Sequence, residues 1–326
     1  MKSIIISAGD PSGISYEIFD KGFSFLKKNA KDYKILFIET QNCISSKYKN
    51  KNNQIQIDQV DDFFSKKSSF KSGIYFLSLN ILKTKEKIQI GEPSILSGKC
   101  AYTSLMIAMG IIRKYGGNLI TLPLSKEWVI KAKIPKFTGH TEELADFFKK
   151  KTFMMMYGEK LKVIPLTTHI PIQKVSNALK KVSTKELISA IQSNRLLNKP
   201  KIAICGLNPH AGENGKIGLE EVSILNPMIK KLKKSGLNVS GPISADSLFI
   251  PEYSKKFDLI LACYHDQGLI PFKAFEGKNG VNVTLGLDFI RVSPDHGTAF
   301  DIAGKNKADP TSFIQCVKVL TQDDIY

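Results

Sequence analysis

The chain has 326 residues, 42% of them hydrophobic, which is longer than one core usually serves and apolar enough to build two associated domains. A formal charge of +17 raises nucleic acid as a partner, but the excess lysine is spread through short runs such as KKNAKDYK, KYKNKNN and KKLKK rather than along one aromatic-studded stripe. Solvated helix faces account for it, no nucleic-acid partner is expected, and an anionic substrate would benefit from the field. No run approaches the roughly 18 uninterrupted apolar residues of a membrane span. The amino terminus, MKSIIISAGDPSG, turns into a Gly/Pro loop before a signal-peptide core develops, so a cytoplasmic protein without a membrane partner is expected.

In chain order, the β-branched runs IIIS (4–7), ILFI (35–38), IYFLSL (74–79), NLITL (118–122), KVIPLTT (162–168), KIAICG (201–206) and DLILACY (258–264) predict strands. Helix-length stretches at 98–115, 142–151, 184–195 and 220–235 alternate with them, the rhythm of an α/β fold with largely parallel sheets. Residues 40–70, rich in Lys, Asn, Gln and Ser, are expected to be the least structured and to carry no function. Cys43, Cys100, Cys205, Cys263 and Cys316 lack any paired spacing, so they read as buried small side chains rather than disulfides or a thiolate zinc site. Neither G-x-G-x-x-G nor G-x-x-x-x-G-K-[ST] occurs, and GEPSILSGKC at 91–100 has the wrong spacing, which disfavours a Rossmann or P-loop nucleotide site. The absence of G-x-S-x-G gives a serine hydrolase little support.

The five histidines all lie in Gly-, Pro- or Asp-flanked segments, where chemistry is usually placed. His169, His210 and His265 each follow a predicted strand, which in an open α/β sheet is the carboxyl edge where ligands collect. Three imidazoles converging there would suit Zn²⁺ or a similar divalent ion with one position left for a substrate oxygen; each taken alone reads first as a hydrogen-bonded loop residue, and it is their joint placement that brings the metal reading level with it. Asp246 and Asp266 are placed to orient a metal-bound imidazole, although Asp246 also suits an N-cap or Asx turn. TGHTEELADFF reads as a helix amino terminus with Thr141 as its cap, where free N–H groups beside His140 could receive a phosphate. Lys273 and Arg291 could add charge-assisted bonds to phosphate or carboxylate, or be ordinary surface charge.

The runs ISAGDPSGI, GEPSILSGKCAY, LPLSKEWVI, FTGHTEELA, LTTHIP, GLNPHAGENGKIGLEE and GPISADSLF, followed by YHDQGLIPFKAFEGKNGVNVTLGLDFIRVSPDHGTAFDIAGKNKADPTSF, resemble the 4-hydroxythreonine-4-phosphate dehydrogenase family. The resemblance runs from residue 3 to about residue 315 and weakens only around 40–70. It implies a two-domain α/β/α fold like that of isocitrate and isopropylmalate dehydrogenases, with dinucleotide binding that is not of the Rossmann kind. An outer domain would comprise 1–125 plus 285–326, an inner domain 126–284, with the active site in the cleft between them.

The resemblance further implies a homodimer in which one divalent ion per site (Zn, Mg or Co) is held by His169 and His210 of one subunit and His265 of the other. His140, Thr141, Lys273, Asn282 and Arg291 match substrate-binding positions, Asp246 and Asp266 match supporting acids, and His296, Gly297 and Thr298 fall near the cofactor, NAD or NADP. The implied reaction is oxidation of 4-phosphooxy-L-threonine at C3 and decarboxylation to 3-amino-2-oxopropyl phosphate, in pyridoxal phosphate biosynthesis, with Lys273 or a metal-coupled water as proton acceptor. A related dehydrogenase of D-threonate or D-erythronate 4-phosphate and, on a related fold, a phosphate acyltransferase are the alternatives. Tyr16 and Asp288 stand where the family commonly has proline, which loosens expectations for the loop near Arg291.

Overall fold

The computed structural model describes residues 2–41, 43, 48–50, 52–83 and 86–321. The strands are β1 (Ser3–Ser7), β2 (Lys34–Thr40), β3 (Gln54–Ile55), β4 (Gly73–Leu79), β5 (Asn118–Thr121), β6 (Phe153–Tyr157), β7 (Lys162–Pro165), β8 (Lys201–Cys205), β9 (Asn238–Ile243), β10 (Leu259–Ala262), β11 (Val281–Leu285) and β12 (Arg291–Pro294). The helices are α1 (Ser15–Asn29), α2 (Val60–Phe64), α3 (Ile95–Tyr115), α4 (Lys126–Lys131), α5 (His140–Phe148), α6 (Val175–Leu179), α7 (Thr184–Gln192), α8 (Asn226–Lys234), α9 (Ala245–Leu248), α10 (Pro251–Ser254), α11 (His265–Glu276) and α12 (Thr311–Thr321). Every strand and helix expected from the sequence is present, the last of the helices as a widened turn, Glu221–Leu225, leading into α8. Of the segment 40–70, residues 42, 44–47 and 51 lie outside the described residues, and the rest includes β3 and α2.

The chain divides into two units, Met1–Lys149 with Phe289–Tyr326, and Lys150–Asp288. The segment 126–149, expected with the inner domain, lies in the first unit. The cause is packing: a side chain on Gly98 of α3 would collide with the Trp128 carbonyl of α4 at 2.4 Å, and the Tyr102 hydroxyl donates to Glu143 of α5 at 2.8 Å.

In the first unit the strands run β3-β4-β2-β1-β5-β12. Their pairings are parallel, with Ile4–Ile6 and Ile35–Ile38 wholly buried. Strands covered on both faces read as such continuous apolar runs. Among the described residues, α3 alone is long and apolar enough by mean hydropathy (1.5) to cross a membrane, although Ser, Thr and Lys interrupt it. More than half of that apolar window is buried inside the protein, with Cys100, Leu105, Ala108 and Met109 at zero exposure, so it is a core helix. It starts at a capping box in which Ser94 and Ser97 exchange side-chain and backbone bonds at 3.0–3.1 Å.

In the second unit the order is β11-β6-β7-β10-β8-β9, with β7, β10, β8 and β9 parallel and the β11–β6 and β6–β7 pairs antiparallel. Val163, Ala203, Cys205, Ile260, Ala262 and Phe272 form its core. Cys100, Cys205, Cys263 and Cys316 are free and buried, and Cys43 is free and half-buried.

Candidate active site

Because β7, β10 and β8 are adjacent and parallel, the loops that follow them share one edge, and these are the loops of His169, His265 and His210. The first two come together: the His169 and His265 rings lie 5.6 Å apart, centre to centre, beside a recess of about 280 Å³ lined by Thr167, His169, Tyr264, His265 and Asp266. Asp266 reaches back to His265 Nδ1 at 2.7 Å. A carboxylate can only accept, so Nδ1 is the donor in this bond and the ring turns Nε2 away from Asp266.

His210 sits at a different point on this edge, near Asp246, whose carboxyl is held low first by the Ser244 hydroxyl, then by the Ser247 N–H, and least by His210. The resemblance groups His169 with His210 in one subunit, whereas the pair formed within this chain is His169 with His265. Among the described residues no three His, Cys, Asp or Glu side chains are positioned to hold a metal. The donors nevertheless fit one chemically: three imidazoles, two of them adjacent, with one ring oriented by a carboxylate.

The loops are tied together by residues that the sequence reading passed over. The Thr167 hydroxyl donates to the Cys263 carbonyl at 2.8 Å. Gln267 accepts from the Cys263 N–H and donates to the Gly206 carbonyl, both at 2.7 Å. His210, Ala211, Gly212, Glu213 and Asn214 all have left-handed backbone angles, costly for L residues and common at functional sites. Beneath them Glu221, 2% exposed, accepts from the Leu207 and Asn208 N–H groups at 2.8 Å and from the Asn208 amide at 2.9 Å. An acidic pair closing a Gly/Asn-rich run, as in NGKIGLEE, is the signal that points to Glu221.

Seven large apolar side chains are exposed around these loops: Ile170 and Ile172, then Ile217, Leu219 and Val222, then Ile250, and Ile270 on α11. On α11, Asp266 and Lys273 are seven residues apart and so share a helix face. Asn282, in β11, has its Oδ1 shielded from solvent with no hydrogen-bond partner.

The first unit carries the remaining candidates. Thr141 is not the cap of α5; Gly139 holds that position and makes no side-chain bond, leaving Thr141 in the first turn. His140 has its Nε2 shielded and without a hydrogen-bond partner, and burial, with the positive charge of Arg291, holds its pKa well below the usual value. It is therefore neutral. Arg291, 2% exposed, donates from Nε to Thr121 Oγ1 at 3.0 Å, and burial lowers its pKa to about 10, still a cation at neutral pH. Asp288 is exposed and pairs with Lys150 at 2.8 Å in the second unit.

The turn containing Asp10 is built around that carboxylate, which accepts from the Ser12 N–H and hydroxyl at 2.9 and 2.6 Å and is raised in pKa by burial. The Ile14 N–H donates to the Thr298 carbonyl at 3.0 Å, and a side chain on Gly13 would strike that oxygen, which brings the His296–Gly297–Thr298 segment against this turn. A recess of about 650 Å³ opens beside them, lined by Pro11, Gly13, Tyr16, Glu17, Gly304 and Asn306. The Tyr16 hydroxyl accepts from the Thr40 N–H at the end of β2 at 3.0 Å.

A family model described as pyridoxal phosphate biosynthetic protein PdxA matches residues 31–320. The chain is 40% identical to a 4-hydroxythreonine-4-phosphate dehydrogenase of Sulfurihydrogenibium sp. (strain YO3AOP1) over 325 residues, covering 98% of this chain and 97% of the relative. It is 36% identical to a putative D-threonate 4-phosphate dehydrogenase of Salmonella typhi, covering 98% of each. Among solved structures, a 4-hydroxythreonine-4-phosphate dehydrogenase from Klebsiella pneumoniae superposes with a TM-score of 0.79 at 30% identity, covering 99% of this chain and 98% of the other.

Proposed function

The chain belongs to the pyridoxal phosphate biosynthetic PdxA family, and on that premise we propose that it is a 4-hydroxythreonine-4-phosphate dehydrogenase. It oxidises the C3 hydroxyl of 4-phosphooxy-L-threonine with NAD or NADP, and the β-keto acid loses CO₂ to give 3-amino-2-oxopropyl phosphate. The observation that carries this reading is the His169–His265 pair, oriented by Asp266, on adjacent strand ends.

His169, His210 and His265 would hold one divalent ion (Zn, Mg or Co), which when bound polarises the substrate's hydroxyl and later its ketone. Three histidine loops flanked by exposed isoleucine, leucine and valine support a homodimer in which a second copy covers this edge and completes the ligand set. Arg291 and neutral His140, with Thr141 beside them, suit the substrate's anionic and polar groups, because a desolvated guanidinium and an unpartnered ring nitrogen both favour a polar ligand. Lys273 and Asn282 match further substrate-binding positions of the family, and the Asn282 Oδ1 is open to a polar group. Lys273 shares a helix face with Asp266 and is our candidate proton acceptor. The dinucleotide lies along the turn of residues 10–14 and the His296–Thr298 segment, where the 650 Å³ recess offers room for it.

The test is NADH formation from 4-phosphooxy-L-threonine, with each dinucleotide, with added divalent metal and after chelation. Metal-dependent turnover supports the reading. Turnover of D-threonate or D-erythronate 4-phosphate alone would transfer the chain to the second reading, which the Salmonella typhi relative favours. Inactivity toward all three would refute both.

A further inference from the structure

A second cavity lies at the opposite end of the second unit. Lys162 opens β7 and Asp258 immediately precedes β10, whereas His169 and His265 follow the far ends of these strands. The cavity measures about 690 Å³, and its lining includes Lys160, Lys162, Lys255, Phe257, Asp258 and Phe275. It therefore sets an apolar aromatic wall beside three lysine side chains, with Asp258 and the exposed Glu159 on the same lining, and a flat ligand carrying one compact anion fits the lysine side of it.

The groups differ in availability. Glu276 is committed to the fold: its Oε1 accepts from the Lys160 and Leu161 N–H groups at 2.6 and 2.8 Å. Asp258 accepts from the Lys201 N–H at 2.8 Å. Lys160 and Lys255 are exposed at the rim, while Lys162 is half-buried, its Nζ 4.8 Å from the centre of the Tyr157 ring. Burial depresses the Lys162 pKa, against the opposing charges of Asp258 and Glu276, so more of this amine is unprotonated than of an exposed lysine.

We propose that this cavity is a second ligand site, taking a small aromatic aldehyde that bears a phosphate or similar compact anion and holding it as an imine on Lys162. The unprotonated Nζ adds to the aldehyde carbon, forming the N–C bond as the C=O π pair passes to oxygen. A proton moves from nitrogen to that oxygen, and loss of water leaves the C=N bond; nothing is oxidised or reduced. Phe257 and Phe275 cover the ring, and Lys160 and Lys255 receive the anion.

Pyridoxal 5′-phosphate is a suitable probe. The whole protein is incubated with a substoichiometric amount, reduced with borohydride and mapped by peptide mass spectrometry. Lys162 should carry more adduct than any other lysine, because among the lysines of this cavity it alone is half-buried beside the aromatic wall. Lys162→Arg should abolish that adduct, and Lys255→Gln, at the rim, should lower it several-fold. Label spread evenly over surface lysines, or concentrated on Lys273, would overturn the proposal. The readout is independent of dehydrogenase activity.

Discussion

Replacing Glu221 with alanine should disable His210 without touching it. Four non-glycine residues, His210, Ala211, Glu213 and Asn214, are held in left-handed conformation, at about 1–2 kcal/mol each, or roughly 4–8 kcal/mol in all. The Glu221 carboxylate accepts three hydrogen bonds from Leu207 and Asn208, each worth about 1.5–3 kcal/mol with a charged acceptor, or roughly 5–9 kcal/mol. The two sums are of the same size, so the run persists because that carboxylate lies beneath it. Glu221→Ala should speed amide hydrogen exchange across residues 206–216 by about 100-fold or more, leave β1 and β2 unchanged, and weaken divalent-metal binding. Glu221→Gln keeps one acceptor oxygen for the two backbone N–H groups and should cost only about ten-fold in exchange rate. Unchanged exchange over 206–216 in Glu221→Ala, with the protein folded, would refute the reasoning.

Three further outcomes follow from the same geometry. His140 titrates near about 6.5 in the unfolded chain but lower in the folded protein; the unfolded state therefore binds more protons between those values, and stability falls as pH drops below about 6.5. Urea titrations at pH 8 and pH 5 should show a larger acid loss for the wild type than for His140→Asn. Ile270→Asp places a charge on the most exposed of the large apolar side chains, 68% accessible, and should shift a sedimentation profile from dimer toward monomer; an unchanged profile would remove α11 from the interface. Gly98→Val must displace the Trp128 carbonyl, 2.4 Å from any Cβ at that position, and should cost about 1–3 kcal/mol or more in chemical denaturation.

The strands and helices that the sequence made legible are those with unbroken apolar runs, such as Ile4–Ile6 in β1 and Leu259–Ala262 in β10, because burial on both faces leaves no alternation to misread. The strands it did not reveal have mixed patterns. β9 carries Gly241 and Pro242, and β11 alternates Val281, Asn282 and Val283, while β6 is apolar but built of methionine, which lacks the β-branching that marks a strand. β12 begins with Arg291, whose charge argues against a central strand until its Thr121 partner is seen. The segment 126–149 was misplaced for a related reason: what binds it to the first unit is a glycine against a carbonyl and a tyrosine against a glutamate, and neither contact leaves a periodic trace.

The histidines were legible because an unusual residue type recurred after each predicted strand, and strand order then placed all three loops on one edge. Their grouping was not, since sequence cannot say which loops touch; that depends on side-chain bonds such as Thr167 to the Cys263 carbonyl and Gln267 to the Gly206 carbonyl. These bonds also limit what can move. Gln267 and Thr167 hold the His265 loop to both neighbours, while the His210 turn rests mainly on Glu221 and carries its own backbone strain. His210 is thus the proposed ligand whose position is most readily lost, while the loops of His169 and His265 are tied to each other. If a metal binds in two stages, weakly to the pair and tightly once the third imidazole arrives, Glu221→Ala should remove the second stage alone and His265→Ala should remove both.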